Sequence, residues 1–472
     1  MVTKKFYIST SIAYTNTPPH YGFALELVQA DVIARYHRAL GEDVFFLTGT
    51  DEHGKKVLKA AEEKREKPKE FVNKISAKFK ALKKVLNLSN DDFIRTTDRK
   101  RHWPVVKKIW LKLKENGDIY KKKYRGFYCT GCEAFITKKD LKKGKCAIHQ
   151  KEPELVEEEN YFFRLSKYSK EIGKIIARDK IKIIPKSRKN EMLNFVKQGL
   201  EDISFSRPRK DLKWGIPVPN DNSQTIYVWA DALVNYISAI NYGSPEFKKY
   251  WPADIHCLGK DIQKFHTAIW PGMLLSLGLS LPKTIFVHGF ITVGGQKISK
   301  SLGNIIDPFE LVKKYGTDPV RYFLLREIPP TEDGDYTRQK FEARYNADLA
   351  SGLGNLVARV ITLARKFKIT IQNSKFKTEI NKTWQNYKKA LDEFKFNEAL
   401  AAVWRLIGFC DKLIEKTRPW ENIEKKQSTI YNLQFAIKNI AEMLKPFLPE
   451  TSEKIIKQLK TKKSKPLFPR LT

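Results

Sequence analysis

Cysteine is scarce: there are five in 472 residues. So few in so long a chain exclude a disulfide scaffold. No apolar run is long and clean enough to span a bilayer. The stretch 269–281 comes nearest, and Pro271, Gly272 and Gly278 break it. A signal-peptide apolar segment is missing from the start, and the first motif begins too early to leave room for a transit peptide. A cytoplasmic protein with no membrane partner is therefore expected. No Walker phosphate loop occurs, and Gly352-Leu353-Gly354 sits in a helical pattern rather than after a strand, which weakens any nicotinamide or flavin oxidoreductase reading. Internal repeats are also missing. Acid is in short supply: 53 Asp and Glu stand against 88 Lys and Arg, a formal charge of +35. That imbalance favours polyanionic partners through phosphate neutralisation, although a lysine-rich surface also serves simple solvation.

At about 150 residues per domain, the length suggests roughly three domains. Lys5 to Ser11 reads as a buried strand, then a Pro-containing turn, then a helix over 22–40, then the apolar strand Val44–Leu47. Strand, turn, helix, strand opens a parallel α/β sheet. Ligands of such sheets lie beyond the carboxyl ends of the strands, where His20 and Asp51 fall. Two lysine-rich amphipathic helices follow, over 69–87 and 99–116. From 118 to 223 short strands and turns dominate. Alternation of strand and helix returns at Thr225–Trp229 and runs through 255–259 and 285–289. Beyond Asp335 the pattern is helical, over 338–367, 378–391, 396–417, 426–445 and 450–460, punctuated by Pro419, Pro446 and Pro449. The expected fold is α/β. A Rossmann-like parallel-sheet domain (1–117 and 224–289) is split by an insertion (118–223). A linking region (290–337) and an all-α bundle (338–472) follow.

Four groups of residues carry chemistry. Gly294 and Gly295 permit a tight turn before Lys297-Ile298-Ser299-Lys300-Ser301, and ammonium groups on such a loop suit the spread charge of a phosphoryl-transfer transition state. Alone, a Lys/Ser loop is as often plain surface. Upstream, His20 and Gly22 stand where the first strand yields to the first helix, where backbone donors and the helix dipole favour phosphate. Cys129, Cys132, Cys146 and His149 have the spacing of a zinc knuckle. Three thiolates and an imidazole would close a tetrahedral Zn2+ site with no open position, a structural role. Cys257 and Cys410 lie in apolar surroundings and read as core. Thr48-Gly49-Thr50-Asp51-Glu52-His53-Gly54 puts a carboxylate at a strand end, where it can hold an ammonium or merely cap a turn.

Taken together these segments resemble the methionyl-tRNA synthetases, class I aminoacyl-tRNA synthetases of the single-knuckle type, over nearly the whole chain. The resemblance rests on Ile12–Asn16 before His20, on Thr50–Gly54, on the knuckle, and on Tyr227–Leu233. It rests also on Gly259-Lys260-Asp261-Ile262 with Phe265 and His266, on Trp270-Pro271, and on the lysine loop. It implies ligation of L-methionine to tRNA(Met) through methionyl-adenylate, with ATP and Mg2+. It implies a methionine pocket of Ile12, Tyr14, Trp229, Ala232, Leu233, Tyr236, Ile262, Phe265, His266 and Trp270, with Asp51 on the substrate ammonium. Gly259 and Asp261 would hold the ribose, and His20, Gly22, Lys297 and Lys300 the phosphates. Asn355, Arg359 and Trp420 would read the anticodon, although Trp420 without the resemblance reads first as a helix-packing residue. One departure is Phe23, where the family usually places a second histidine; a donor to ATP is lost there.

Three rivals are set against this reading. Synthetases for leucine, isoleucine or valine share the paired signatures but carry a larger inserted editing domain than the interruption here. A catalytically weak or inert tRNA-binding paralogue would account for Phe23 and the charge. A nicotinamide or flavin enzyme lacks its glycine fingerprint. The chain stops soon after the bundle, so a monomer is expected.

Overall fold

The structure is a computed structural model and describes residues 3–131, 134–136, 141–147, 150–298, 303–365, 374–421 and 423–471. It divides into two compact units. The first comprises residues 1–19, 37–83 and 89–288; the second comprises 20–36, 84–88 and 289–472.

The first unit is built on a seven-stranded parallel sheet. Its strands are β1 (Lys5–Thr10), β2 (Ala13–Tyr14), β3 (Asp43–Asp51), β4 (Asp92–Arg95), β5 (Lys182–Ile184), β6 (Ile255–Gly259) and β7 (Thr284–His288). The order is β5-β7-β6-β1-β3-β2, with β4 also on β3. Ile8 faces Phe46 on one side and Ile255 on the other, so β1 is buried between two neighbours. That placement explains its run of aromatic and β-branched residues (Phe6-Tyr7-Ile8), as parallel strands bury both faces. Because neighbours are in parallel register, Gly259 lies opposite His288 at one edge, and Asp51 ends β3 at the same carboxyl edge.

Three elements differ from expectation. β3 runs nine residues, well beyond Leu47, so Asp51 belongs to the strand itself. β5 falls inside the stretch read as insertion, yet pairs Ile183 with Ile285 in the main sheet. Three residues are too few to show a period. Tyr227–Trp229 is not a sheet strand. Asp221–Ile226 ends a separate three-stranded antiparallel sheet with 206–208 and 217–218, and a short helix, Val228–Ala232, begins at once. The β-propensity of Tyr-Val-Trp is overridden because Val228, Ala230 and Leu233 bury their side chains in the core while Trp229, partly buried, packs against it.

The insertion proper is a long hairpin, Ile119–Cys129 against Glu154–Phe163, extended by Ala134–Ile136. Cys129 and Cys146 are buried with Ile136 in a small cluster at its tip. Cys132 and His149 lie outside the described residues.

The second unit carries the helix Tyr21–Ala39 for most of its length, then the segments after residue 288. Ile291–Val293 and Gln296–Lys297 form a hairpin, flanked by Gly334–Tyr336. Its two-residue turn is Gly294-Gly295 with φ of +58° and +76°. Left-handed backbone at both positions is the hairpin turn that matches strand twist, and glycine adopts it without strain. Side chains also start the helices. Asp307 accepts from Phe309 N at 2.7 Å with Pro308 at the first helical position, and Thr337 accepts from Lys340 N at 3.2 Å. The expected helix over 338–367 proves to be Arg338–Arg344, a widened π-type stretch Tyr345–Gly354, and Asn355–Arg365. The bundle continues with Ser374–Asp392, Phe396–Thr417, Ile423–Leu444 and Pro449–Thr461. In Phe396–Thr417 the buried positions recur every three or four residues, from Ala399 through Val403 and Ile407 to Ile414.

Candidate active site

In the first unit the residues beyond the carboxyl ends of the strands form an aromatic group. Trp229, on the short helix after the antiparallel sheet, stacks on Phe265 with centroids 3.7 Å apart and planes 6° apart. His266 meets Trp229 edge-on at 6.2 Å. Tyr236 Oη lies 2.8 Å from His266 Nε2, and His266 Nδ1 lies 3.0 Å from the Ile262 carbonyl. A carbonyl can only accept, so Nδ1 carries the proton and Tyr236 donates to Nε2. Complete burial pushes the His266 pKa down to about 4, so the ring is neutral at physiological pH. Tyr236 is fixed from the other side, since Tyr7 Oη donates to its backbone carbonyl at 2.7 Å. Trp270 is fully buried behind it, 6.0 Å away. Ile12, Tyr14 and Ile262 pack against the same core, and Ala232 and Leu233 are buried on the Trp229 helix. Nine of the ten hydrophobic and aromatic residues named from the sequence thus lie in or against one core, and Ala232 is buried on the short helix that carries Trp229.

Asp51 stands at the end of β3, 4% exposed. Thr15 clamps its backbone carbonyl with N–H and Oγ1 at 3.0 and 3.1 Å. Its neighbour Glu52 has another task. Arg95 reaches both Glu52 oxygens, at 2.7 and 2.9 Å, and Thr50 and Thr97 donate to them too. A bidentate guanidinium thus neutralises Glu52, while Thr96 Oγ1 stands 3.5 Å from an Asp51 carboxylate oxygen. Gly259 ends β6, and Asp261, two residues on, is exposed.

In the second unit, the Gly22 amide donates to His20 Nδ1 at 3.1 Å. This puts the His20 proton on Nε2, as a donor. A Cβ at Gly22 would sit 3.0 Å from His20 Cε1, so a side chain there would displace the ring. Phe23 lies in the first turn of the same helix. The Gly294-Gly295 hairpin is held at its root by Asp335, which accepts from Gly295 N and Thr292 Oγ1, each at 2.8 Å. Lys297 lies on the second strand of that hairpin; Ser299 and Lys300 fall outside the described residues. In the bundle, Asn355 is exposed at the start of its helix. Arg359, one turn on, is 3.4 Å from Asp411. Trp420 is 52% exposed and donates from Nε1 to Glu421 at 3.2 Å.

Sequence reasoning missed a buried polar cluster next to Asp51. Asp231 accepts from His53 Nδ1 and His102 Nε2, both at 2.7 Å. His53 stood in view inside the Thr50–Gly54 motif; His102 carried no signal, for a histidine opening a helix is unremarkable.

A parallel sheet with carboxylates at its carboxyl edge, a glycine-turned hairpin and a helical bundle are the parts of a class I aminoacyl-tRNA synthetase, the class that the chain's sequence also matches. Residues 6–142 and 136–361 match the family described as tRNA synthetases class I (M), and residues 373–469 match the anticodon-binding domain of tRNA ligases. The methionine–tRNA ligase of Thermotoga maritima is 44% identical over 475 residues, covering 96% of this chain and 75% of the relative. That of Brucella suis is 40% identical and covers 97% and 92%. Among solved structures, the methionyl-tRNA synthetase of Mycobacterium tuberculosis in complex with methionyl-adenylate is similar with a TM-score of 0.92. Its identity is 36%, over 96% of this chain and 93% of that one. The chain belongs to the methionine–tRNA ligase family.

Proposed function

We propose that the chain activates L-methionine with ATP and passes the methionyl group to the terminal ribose of tRNA(Met). The observation that carries this reading is the Trp229–Phe265 stack beside the neutral His266–Tyr236 pair. Flat aromatic walls accept an unbranched thioether and favour sulfur at ring edges. A neutral imidazole adds no charge that would admit a basic or acidic side chain.

The roles follow from the chemistry of each group. Asp51 takes the substrate ammonium, which points the carboxylate at the nucleotide. Gly259 and Asp261 hold the ribose. The methionine carboxylate attacks the α-phosphorus of ATP; the new P–O bond forms as the bond to pyrophosphate breaks. No general base is needed, because the attacking group is already ionised. His20 Nε2–H and the ammonium groups of Lys297 and Lys300 neutralise phosphate charge as it develops. Bound Mg2+ supplies further charge neutralisation to the phosphates. A hydroxyl of the tRNA terminus then attacks the acyl carbon and AMP leaves. Asn355, Arg359 and the exposed Trp420 read the anticodon, since single-stranded bases are recognised by stacking and by planar cations.

Two buried thiols in one cluster fit a metal knuckle. Cys129, Cys132, Cys146 and His149 would hold Zn2+, whose chemistry there is structural. Among the described residues no group of three or more metal-ligating side chains occurs, and no helix is long and apolar enough to cross a membrane. We read the enzyme as cytosolic, on its scarcity of cysteine.

Pyrophosphate exchange across the twenty amino acids tests the proposal. Exchange should depend on L-methionine alone; exchange with leucine, isoleucine or valine at a comparable rate, or with none, overturns it.

A further inference from the structure

Asp231 is 1% exposed and its carboxylate sits in the first unit among groups drawn from three separate stretches of chain. One oxygen accepts from His53, two residues past Asp51; the other accepts from His102, the first residue of the helix His102–Glu115. His102 Nδ1 lies 2.8 Å from Ser238 Oγ. Asp231 itself is two residues past Trp229. Burial alone would push its carboxyl up, but the attraction and hydrogen bonds of the two histidines outweigh burial and hold it below the ordinary aspartate value. Trp103 and Trp214 flank the His53 ring at 5.9 and 5.7 Å. Trp214 Nε1 also donates to the Glu52 carbonyl at 2.6 Å, closing the far side of the turn.

A fully buried carboxylate is costly unless both oxygens are satisfied. Apolar packing would bury the same volume without that cost. What the polar cluster adds is direction: the His53 bond fixes the helix carrying Trp229 against the turn carrying Asp51, and the His102 bond fixes it against the helix His102–Glu115. We infer that His53, Asp231 and His102 are positioning residues that set the Asp51 carboxylate and the Trp229 ring to receive the amino acid. The inference rests on the roles proposed above for Asp51 and Trp229.

The test is methionine-dependent pyrophosphate exchange by the full chain. His53→Leu and His102→Leu remove a donor each. They should raise KM for L-methionine at least tenfold, with KM for ATP within twofold of the parent and kcat within fivefold. His53→Asn keeps a donor where Nδ1 stood, and His102→Gln keeps one where Nε2 stood; both should return KM for methionine to within threefold. Asp231→Ala should match the leucine variants, and if it does not fold the histidine pairs carry the same test. A merely structural cluster would lower the melting temperature of the leucine variants and leave the two KM values unchanged or moving together. That result, or failure of Asn and Gln to rescue, overturns the inference. A parent chain without methionine-dependent exchange overturns instead the reading beneath it.

Discussion

Phe23 is the residue at which this chain parts from the pattern it otherwise follows. It stands in the first turn of the helix Tyr21–Ala39, where amide groups and the helix dipole favour an anion. Phenylalanine supplies bulk there but no donor. A hydrogen bond to a charged group contributes about 1.5–3 kcal/mol. Phe23→His should therefore speed adenylate formation by about tenfold, read as kcat in pyrophosphate exchange; an unchanged or lower kcat would show that the site is already built around the ring. At this scale the sequence was most legible where chemistry demands particular atoms. His20, Gly22 and Asp51 could be singled out because few residue types can do the work proposed for them. Asp231 could not, since its partners are 178 and 129 residues away and each is ordinary in its own neighbourhood.

Among the helices of the second unit, Thr317–Arg326 holds a buried cation. Arg321 donates to the carbonyls of Leu86, Pro446 and Phe447 at 3.0, 2.9 and 2.7 Å and pairs with Asp31 at 2.8 Å. The chain turns at Pro446 between the helices Ile423–Leu444 and Pro449–Thr461, and one guanidinium satisfies two carbonyls of that corner. Breaking a buried ion pair from one side costs about 3–5 kcal/mol. Arg321→Met should cost about that much in urea unfolding, with Arg35, 2.8 Å from Asp31, offsetting part of the loss. A change below about 1 kcal/mol would remove Arg321 from its structural role. The sequence indicated the last helices of the bundle and their proline boundaries well, because apolar spacing and a missing N–H act locally, but Thr317–Arg326 fell in the stretch read as a linking region. It did not indicate the widened turn at Tyr345–Gly354 or the three-residue strand β5. Both are decided by what packs on them.

For the whole molecule the charge of +35 is the dominant physical fact. Each neutralised phosphate releases counterions, so affinity for nucleic acid falls as salt rises. The logarithm of tRNA affinity should fall against the logarithm of salt with a slope of about −5 or steeper, as for six phosphate contacts. Titration of tRNA binding between 50 and 200 mM salt checks this (concentrations chosen from the range where such slopes are measured). A slope near −1 would assign the lysines to solubility.

β1 lies at the centre of its sheet with β6 on one flank, and the pairing of Tyr7 with Asp254 joins positions 247 residues apart. On the ribosome, at about 5–20 residues per second, the first strand therefore waits on the order of ten to fifty seconds for its second neighbour to be made. Throughout that interval the nascent chain shows one naked apolar flank, so this protein depends on protection during its own synthesis more than one assembled from hairpins would.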